Sequence, residues 1–396
     1  MTRGRDRERL RVTDVARRIQ ALPPYVFAEL DRKIKEKAAA GIDVISLGIG
    51  DPDQPTPRHV VDAAKEAADD PSTHRYPSYT GMPEFRQTVA EWYLKRFGVE
   101  LDPDTEVQPL IGSKEGLGHL SLAFVDPGDE ALVPDPGYPV YGVGTMLAGG
   151  TPVPLPLDVD RGWLPDLSQT AASARTKLLW LNYPSNPTAG VAEVSFFEEA
   201  VAFAREHGLL LAHDAAYTEL TYDGFTAPSA LQVEGAKDVA VEFGSVSKTH
   251  NMTGWRVGWV VGSATAVEAL AALKTNWDSG IWNAVQRAAI AALTGPQDHV
   301  EELRETYARR RDLVVGTLNT LGWSLKAPKG SIYVWLPTRD GMSSAAFAEL
   351  LVERARVVVS PGSGYGAAGE GYARISLTVP DDRLAEAMDR VREALS

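Results

Sequence analysis

The chain has no cysteine. Disulfides, thiolate-held zinc, iron–sulfur clusters and thiol catalysis are therefore excluded, and packing alone must hold the fold. No run of about 18 apolar residues is present, so no membrane-spanning helix is expected. Positive charge is in deficit: 40 Lys and Arg against 53 Asp and Glu give a net charge of −13. A chain this acidic is not expected to grip a nucleic-acid backbone, and any anion it binds must be held by local groups against the overall field. The seven histidines show no ligand spacing, so no metal site is expected. Residues 1–18 are Arg-rich but carry Asp6, Glu8 and Asp14 and lack an apolar stretch. They are expected to be neither a signal nor a transit peptide, and a cytoplasmic location follows as the expectation.

What is present is ample apolar material, 44% of 396 residues, with 35 glycines and 26 prolines as punctuation. Short buried-strand patterns at 106–111, 130–133, 177–181, 209–212 and 239–243 are mostly separated by helix-length segments. That alternation predicts an α/β fold, a mostly parallel sheet covered by helices on both faces. After residue 285 the pattern changes. Charged helices at 301–318 and 384–395 bracket short strands at 332–336, 357–359 and 374–377, which predicts a smaller α+β domain. The strand at 43–47 precedes the alternation, so the small domain is expected to recruit it. The predicted division is an arm at 1–20, part of the small domain at 21–50, a large domain at 51–285 and the rest of the small domain at 286–396. A helix is predicted at 27–40, closed by Gly41, and another at 83–97, opened by Pro83 and closed by Gly98. Chemistry is expected in the loops at the carboxyl ends of the parallel strands.

The most informative of these loops runs Ser245-Val-Ser247-Lys248-Thr-His250-Asn-Met-Thr-Gly-Trp-Arg256 between two apolar strands. Hydroxyls, backbone amides and a guanidinium make an anion pocket. A lysine desolvated beside such a pocket suits a Schiff base to pyridoxal phosphate. The stretch resembles the lysine motif of the class I/II aminotransferases, the fold-type I pyridoxal-phosphate enzymes, and the likeness extends from about Leu22 to the C-terminus. His250 stands where that family usually has Tyr or Phe.

Other residues can be read beside this resemblance. Asp214 and Tyr217 follow the strand 209–212. Asp214 could be a helix cap; the functional reading sets its charge against the cofactor's pyridine nitrogen, with Tyr217 at the ring hydroxyl. Asn186, in Asn186-Pro-Thr188, is implied by the resemblance to bond the same ring oxygen, although Ala189 intervenes before Gly190 where the family has glycine. Ser113 and Lys114 follow a strand and open a helix, a place for a phosphate or for a plain cap. Tyr138 is either a core tyrosine or, by resemblance, the ring stacked on the cofactor. Tyr76 resembles the tyrosine that reaches the phosphate from a neighbouring subunit, which implies a homodimer with a shared site. Arg374 has the fork a substrate α-carboxylate needs, though a strand arginine can also be structural. Gly50 and Asn283 match positions lining the same pocket.

These assignments imply ping-pong transamination, with Lys248 as the general base between an L-amino acid and a 2-oxo acid. The run around Tyr25 and Lys114 resembles most the LL-diaminopimelate aminotransferases, in which the matching residues approach the distal end of the substrate. Aspartate and alanine aminotransferases stay open, because Lys114 could equally pair with a side-chain carboxylate. The expected acceptor is 2-oxoglutarate. A β-lyase on the same fold would keep Lys248 and Asp214; Arg374 argues against a decarboxylase. A regulator would need a DNA-binding module larger than the arm. Gly364-x-Gly366-x-x-Gly369 precedes a strand, so a dinucleotide site is not expected there. His213 is expected to pack rather than catalyse, and Asp51 and Asp53 to be turn residues.

Overall fold

The computed structural model describes residues 15–23, 32, 34–37 and 39–396. Tyr25, most of the arm and much of the predicted helix 27–40 lie outside the described residues.

Thirteen strands are described, β1 to β13, and eight form one sheet in the order β2-β9-β8-β7-β6-β3-β4-β5. At its centre β8 (Ala240–Ser245), β7 (Leu210–Asp214), β6 (Thr176–Asn182), β3 (Glu130–Asp135) and β4 (Thr151–Asp158) run parallel. β9 (Gly258–Gly262) is antiparallel to both β8 and β2 (Val107–Leu110), and β5 (Leu164–Pro165) is antiparallel to β4. The expected α/β architecture is thus observed, with antiparallel strands at both edges.

Alternation along the strands explains the layers. Leu178 and Trp180 of β6, with Val241 and Phe243 of β8, face a core that also holds Leu117, Leu120 and Leu270 of the helices Ser113–Phe124 and Ala264–Thr275. Their neighbours Leu179, Leu181 and Ala240 face the opposite core, with Phe85, Phe196 and Ala288 of the helices Pro83–Phe97, Val194–His207 and Asn283–Thr294. A strand buried on both faces shows no polar alternation, which is why these segments read as continuous apolar runs.

β4 is not among the predicted strands, because Pro152, Pro154 and Pro156 argue against one. Thr151 donates its N–H toward the β3 side, to Asp129, at 2.9 Å. The alternate prolines therefore turn their missing N–H toward the outer side, where β5 pairs only with Leu157 and Asp158.

A third core holds Ile45 and Leu47, Tyr307 and Val314 of the long helix Asp298–Thr320, Tyr333 and Ile375, and Leu384 and Met388 of the helix Asp381–Leu395. Around it β10 (Tyr333–Pro337), β13 (Tyr372–Ser376) and β12 (Ser360–Pro361) form an antiparallel sheet, and β1 (Ile45–Ser46) pairs in parallel with β11 (Val357–Val358). The turn after β1 is anchored to this core: Arg310, buried on the long helix, grips Asp53 with two bonds of 2.7 and 2.9 Å and also bonds Asp381 and the Leu377 carbonyl. Asp53 is therefore more than the turn residue expected. It holds in place the loop that carries Gly50.

Candidate active site

The carboxyl ends of β2, β3, β6, β7 and β8 open on one cleft of 360 Å³, closed on the far side by Gly50, Tyr333 and Arg374. Each strand delivers one piece of chemistry as it ends. β7 ends at Asp214, β6 at Asn182, and β8 at Ser245, which caps a four-residue helix carrying Lys248.

One end of the cleft is built for an anion. Gly112 is the cap of the helix Ser113–Phe124, so Ser113 is its first residue and not its cap. A Cβ at position 112 would lie 2.1 Å from Nη2 of Arg256, and the glycine's φ of +75° is one that side chains rarely adopt. Arg256 itself has φ +57° and is tied by Nη1 to the Thr253 carbonyl at 2.7 Å. Ser245 and Ser247 line the same end. The helix's unpaired N–H groups and dipole, the guanidinium and the hydroxyls all favour negative charge there.

At the middle, the Lys248 ammonium donates to the Gly50 carbonyl at 2.8 Å. Burial holds its pKa below the usual lysine range; Arg374 and Arg256 push the same way, while Tyr333 and Asp51 oppose. The carboxyl of Asp214 is pushed up by burial, against a 2.8 Å hydrogen bond donated by Tyr141 to Oδ2. Its Oδ1 is buried and makes no hydrogen bond among the described residues. A buried carboxylate oxygen left bare is costly unless something supplies a donor. Asn182 Nδ2 donates to the Asp214 carbonyl at 2.7 Å, and Asn182 Oδ1 accepts from the Asn186 amide at 2.8 Å. The third charged group, Arg374, is 1% exposed and donates to Asn186 Oδ1 at 2.7 Å and to the Gly48 carbonyl at 2.6 Å.

Of the residues expected from sequence, Gly50, Ser113, Lys114, Tyr138, Asn186, Asp214, Tyr217, Ser245, Ser247, Lys248, Arg256 and Arg374 line this cleft. Tyr76 does not: it is 89% exposed on a loop. Asn283 does not line it either. It opens the helix Asn283–Thr294, and its Oδ1 accepts from Gln286, which also ties Met82 and Ile281 together. His213 is buried away from the cleft, packs against the Phe197 ring and bonds buried Glu242 at 2.8 Å. Ala189 takes φ +56°, so the residue standing where glycine was expected keeps a glycine-like backbone. The sequence reading missed Tyr141, Asn182, Thr253 and Tyr333. Tyr141 lies three residues after Tyr138, and Asn182 directly follows the predicted strand 177–181; both signals were available. Nothing in the sequence ties Tyr333 to residues more than a hundred positions away.

His250, two residues past Lys248, is 3% exposed, packs 5.0 Å from the His299 ring and is pushed down to about 3 from 6.5, chiefly by burial and then by His299. The unfolded chain binds a proton at this ring below 6.5 and the folded chain does not until about 3. The histidine thus opposes folding in that window and is neutral above it. His250→Phe is expected to flatten the acid side of the stability profile. Moving from about pH 7 to about pH 5, wild type should lose on the order of 2 kcal/mol more than the variant. Urea unfolding of both proteins at the two pH values measures this, and parallel profiles would refute it.

Fold and cleft together define a class: an α/β enzyme with an anion cradle, an enclosed amine, a bare buried carboxylate and a guanidinium in one site. A family model for aminotransferases of class I and II matches residues 42–391, and the chain belongs to that family. It is an aminotransferase, as the resemblance at the lysine motif implied. It is 58% identical over 382 residues to the LL-diaminopimelate aminotransferase of Desulforudis audaxviator (strain MP104C), spanning 96% of this chain and 97% of the relative. To that of Moorella thermoacetica it is 55% identical, spanning 96% and 98%. Among solved structures it is similar to substrate-bound BacF from Bacillus subtilis, with TM-score 0.92, 37% identity and coverage of 96% and 98%. It is also similar to aspartate aminotransferase from Thermus thermophilus with maleate, with TM-score 0.91, 32% identity and coverage of 97% and 100%.

Proposed function

We propose that this aminotransferase uses pyridoxal 5′-phosphate and takes its amino group from LL-2,6-diaminopimelate, with 2-oxoglutarate as acceptor. The observation that carries the cofactor reading is the bare, buried Oδ1 of Asp214, in a cleft that also holds Lys248 and the anion cradle. These residues fit the group. Ser113, Ser245, Ser247 and Arg256 would hold its phosphate, Asp214 its protonated ring nitrogen, Tyr217 and Asn186 its ring oxygen, and Tyr138 its ring face. When bound, the cofactor supplies an aldehyde for amine exchange and a ring that withdraws electrons from the substrate Cα.

The remaining steps fall to the chain's own side chains. Arg374 binds the α-carboxylate through its two outer nitrogens and so fixes the Cα–H direction. Lys248, once free, takes the Cα proton and returns it two atoms away, on the carbon beyond the nitrogen; the lowered proton affinity of its amine suits a base working near neutral pH. Asp214, as a carboxylate, would hold the proton on the ring nitrogen, so that the positive charge stays where electron density must accumulate. At the distal end Lys114, whose ammonium lies 5.8 Å from the Tyr138 ring centre, offers a cation to a second carboxylate. Tyr25 belongs to the same proposal. The names of the two curated relatives support the substrate.

We place Tyr76 at the cofactor phosphate of a second copy, so the working unit is a homodimer, and we propose the cytoplasm as its location. No described helix is long and apolar enough to cross a membrane. The division at residues 20, 50 and 285 is kept as part of this proposal.

The test is a donor panel with 2-oxoglutarate, followed by cofactor absorbance and glutamate release. LL-2,6-diaminopimelate is expected to exceed aspartate and alanine at least tenfold in kcat/KM. Preference for aspartate would overturn the substrate. Pyruvate and ammonia released without an oxo acid would overturn transamination itself.

A further inference from the structure

Tyr333 sits where the cleft's two arms meet. It is 3% exposed, on β10, and its hydroxyl lies 3.0 Å from that of Tyr217, with the rings 5.7 Å apart and nearly perpendicular. The guanidinium of Arg374 lies 4.0 Å from its ring centre. A Cβ on Gly50 would come within 2.0 Å of the Tyr333 oxygen, so glycine at position 50 is what admits the phenol. The carbonyl of that same glycine receives the Lys248 ammonium. One side chain therefore touches the residue proposed for the carboxylate, the residue proposed for the ring oxygen, and the backbone partner of the lysine.

Two phenols that share one hydrogen bond leave one hydroxyl hydrogen to point elsewhere. If Tyr217 is to donate into the cleft, Tyr333 must donate to Tyr217. A hydroxyl that accepts one hydrogen bond is the better donor in its next. We propose that Tyr333 is a positioning residue: its O–H fixes Tyr217 as a donor toward the cofactor ring, and its ring is the platform that holds Arg374 in line for the substrate carboxylate. This rests on the pyridoxal-phosphate reading above and adds a residue to it.

Two substitutions separate the two roles. Tyr333→Phe keeps the platform and removes the donor. Weaker donation by Tyr217 leaves negative charge on the ring oxygen less well held, so the adjoining nitrogen keeps its proton to higher pH. The midpoint of the pH-dependent visible absorbance of the loaded protein is expected to rise by about half a unit. The kcat is expected to fall about threefold to tenfold, with KM for the amino donor changed less than about twofold. Tyr333→Leu removes the platform as well, and its KM is expected to rise about tenfold.

The readout that a merely structural role would not move is the double variant. Tyr217→Phe with Tyr333→Phe is expected to match Tyr217→Phe alone in both midpoint and kcat, because the second hydroxyl acts through the first. Additive effects, or a Tyr333→Phe protein indistinguishable from wild type, would overturn the inference. Failure of the underlying reading gives a different result: Lys248→Ala would then retain the wild-type absorbance band and its pH dependence. Melting curves of the cofactor-free variants confirm that each is folded.

Discussion

Lys248→Ala is expected to lower turnover at least about 10⁴-fold and to abolish the pH-dependent visible absorbance of the protein supplied with pyridoxal phosphate. The amine is asked to do two things: to attach the cofactor and to carry the Cα proton. Nothing else in the described cleft can do both, because the other cations facing it, Arg256 and Arg374, are guanidiniums that stay protonated. Lys114 is an amine, but its ammonium lies 5.8 Å from the Tyr138 ring centre, the place proposed above for a second carboxylate. The loss should be chemical rather than structural. Lys248 sits on a four-residue helix capped by Ser245, and its one backbone partner, the Gly50 carbonyl, faces the cleft where water can replace the ammonium. Melting of the cofactor-free protein is therefore expected to change little. Lys248→Arg should fail equally, since charge without a titrating amine restores neither task. Transamination within tenfold of wild type in either variant would refute the assignment.

Asp214→Asn is the second large effect. The amide has the shape of the carboxyl and still accepts from Tyr141, so the change removes charge and little else. A buried positive ring nitrogen that loses its counter-charge costs about 3–5 kcal/mol, so kcat should fall on the order of 10²- to 10³-fold or more, with weaker cofactor retention. The control lies in the cofactor-free protein. Burial already disfavours the charged form of Asp214, which lifts its pKa. Neutralising it should leave the cofactor-free protein as stable as wild type or more so, while shrinking the increase in Tm that the cofactor confers. A variant that is destabilised without cofactor yet gains the full increase on loading would show that Asp214 serves the fold and not the ring.

The comparison between sequence and structure is instructive at particular residues. The lysine loop was legible because its chemistry is local: Ser245, Ser247, Lys248 and Arg256 fall within twelve residues between two apolar strands. Asp214 and Asn186 were legible because each follows the end of a continuous apolar run, where a parallel sheet must present its loops. Asn283 was placed by matched position, and in the structure a helix start bonded to Gln286 holds it off the cleft of its own chain. Tyr333 and Tyr141 went unread for another reason. A tyrosine in an apolar strand or helix looks like core, and only the neighbours it meets in space give it a polar task.

Composition and periodicity by themselves determined the class of fold and the exclusion of thiol chemistry, and the resemblance of one local motif singled out the lysine, because these depend on residue types and on spacings of a few positions. Tertiary structure alone decided which loop faces which. Arg374 and Tyr333 come from two paired strands of the small sheet and Gly50 from a segment hundreds of residues earlier, and their convergence is set by the register of β13 against β10 and by the Arg310–Asp53 anchor. Long-range packing of that kind leaves no local period in the chain to read.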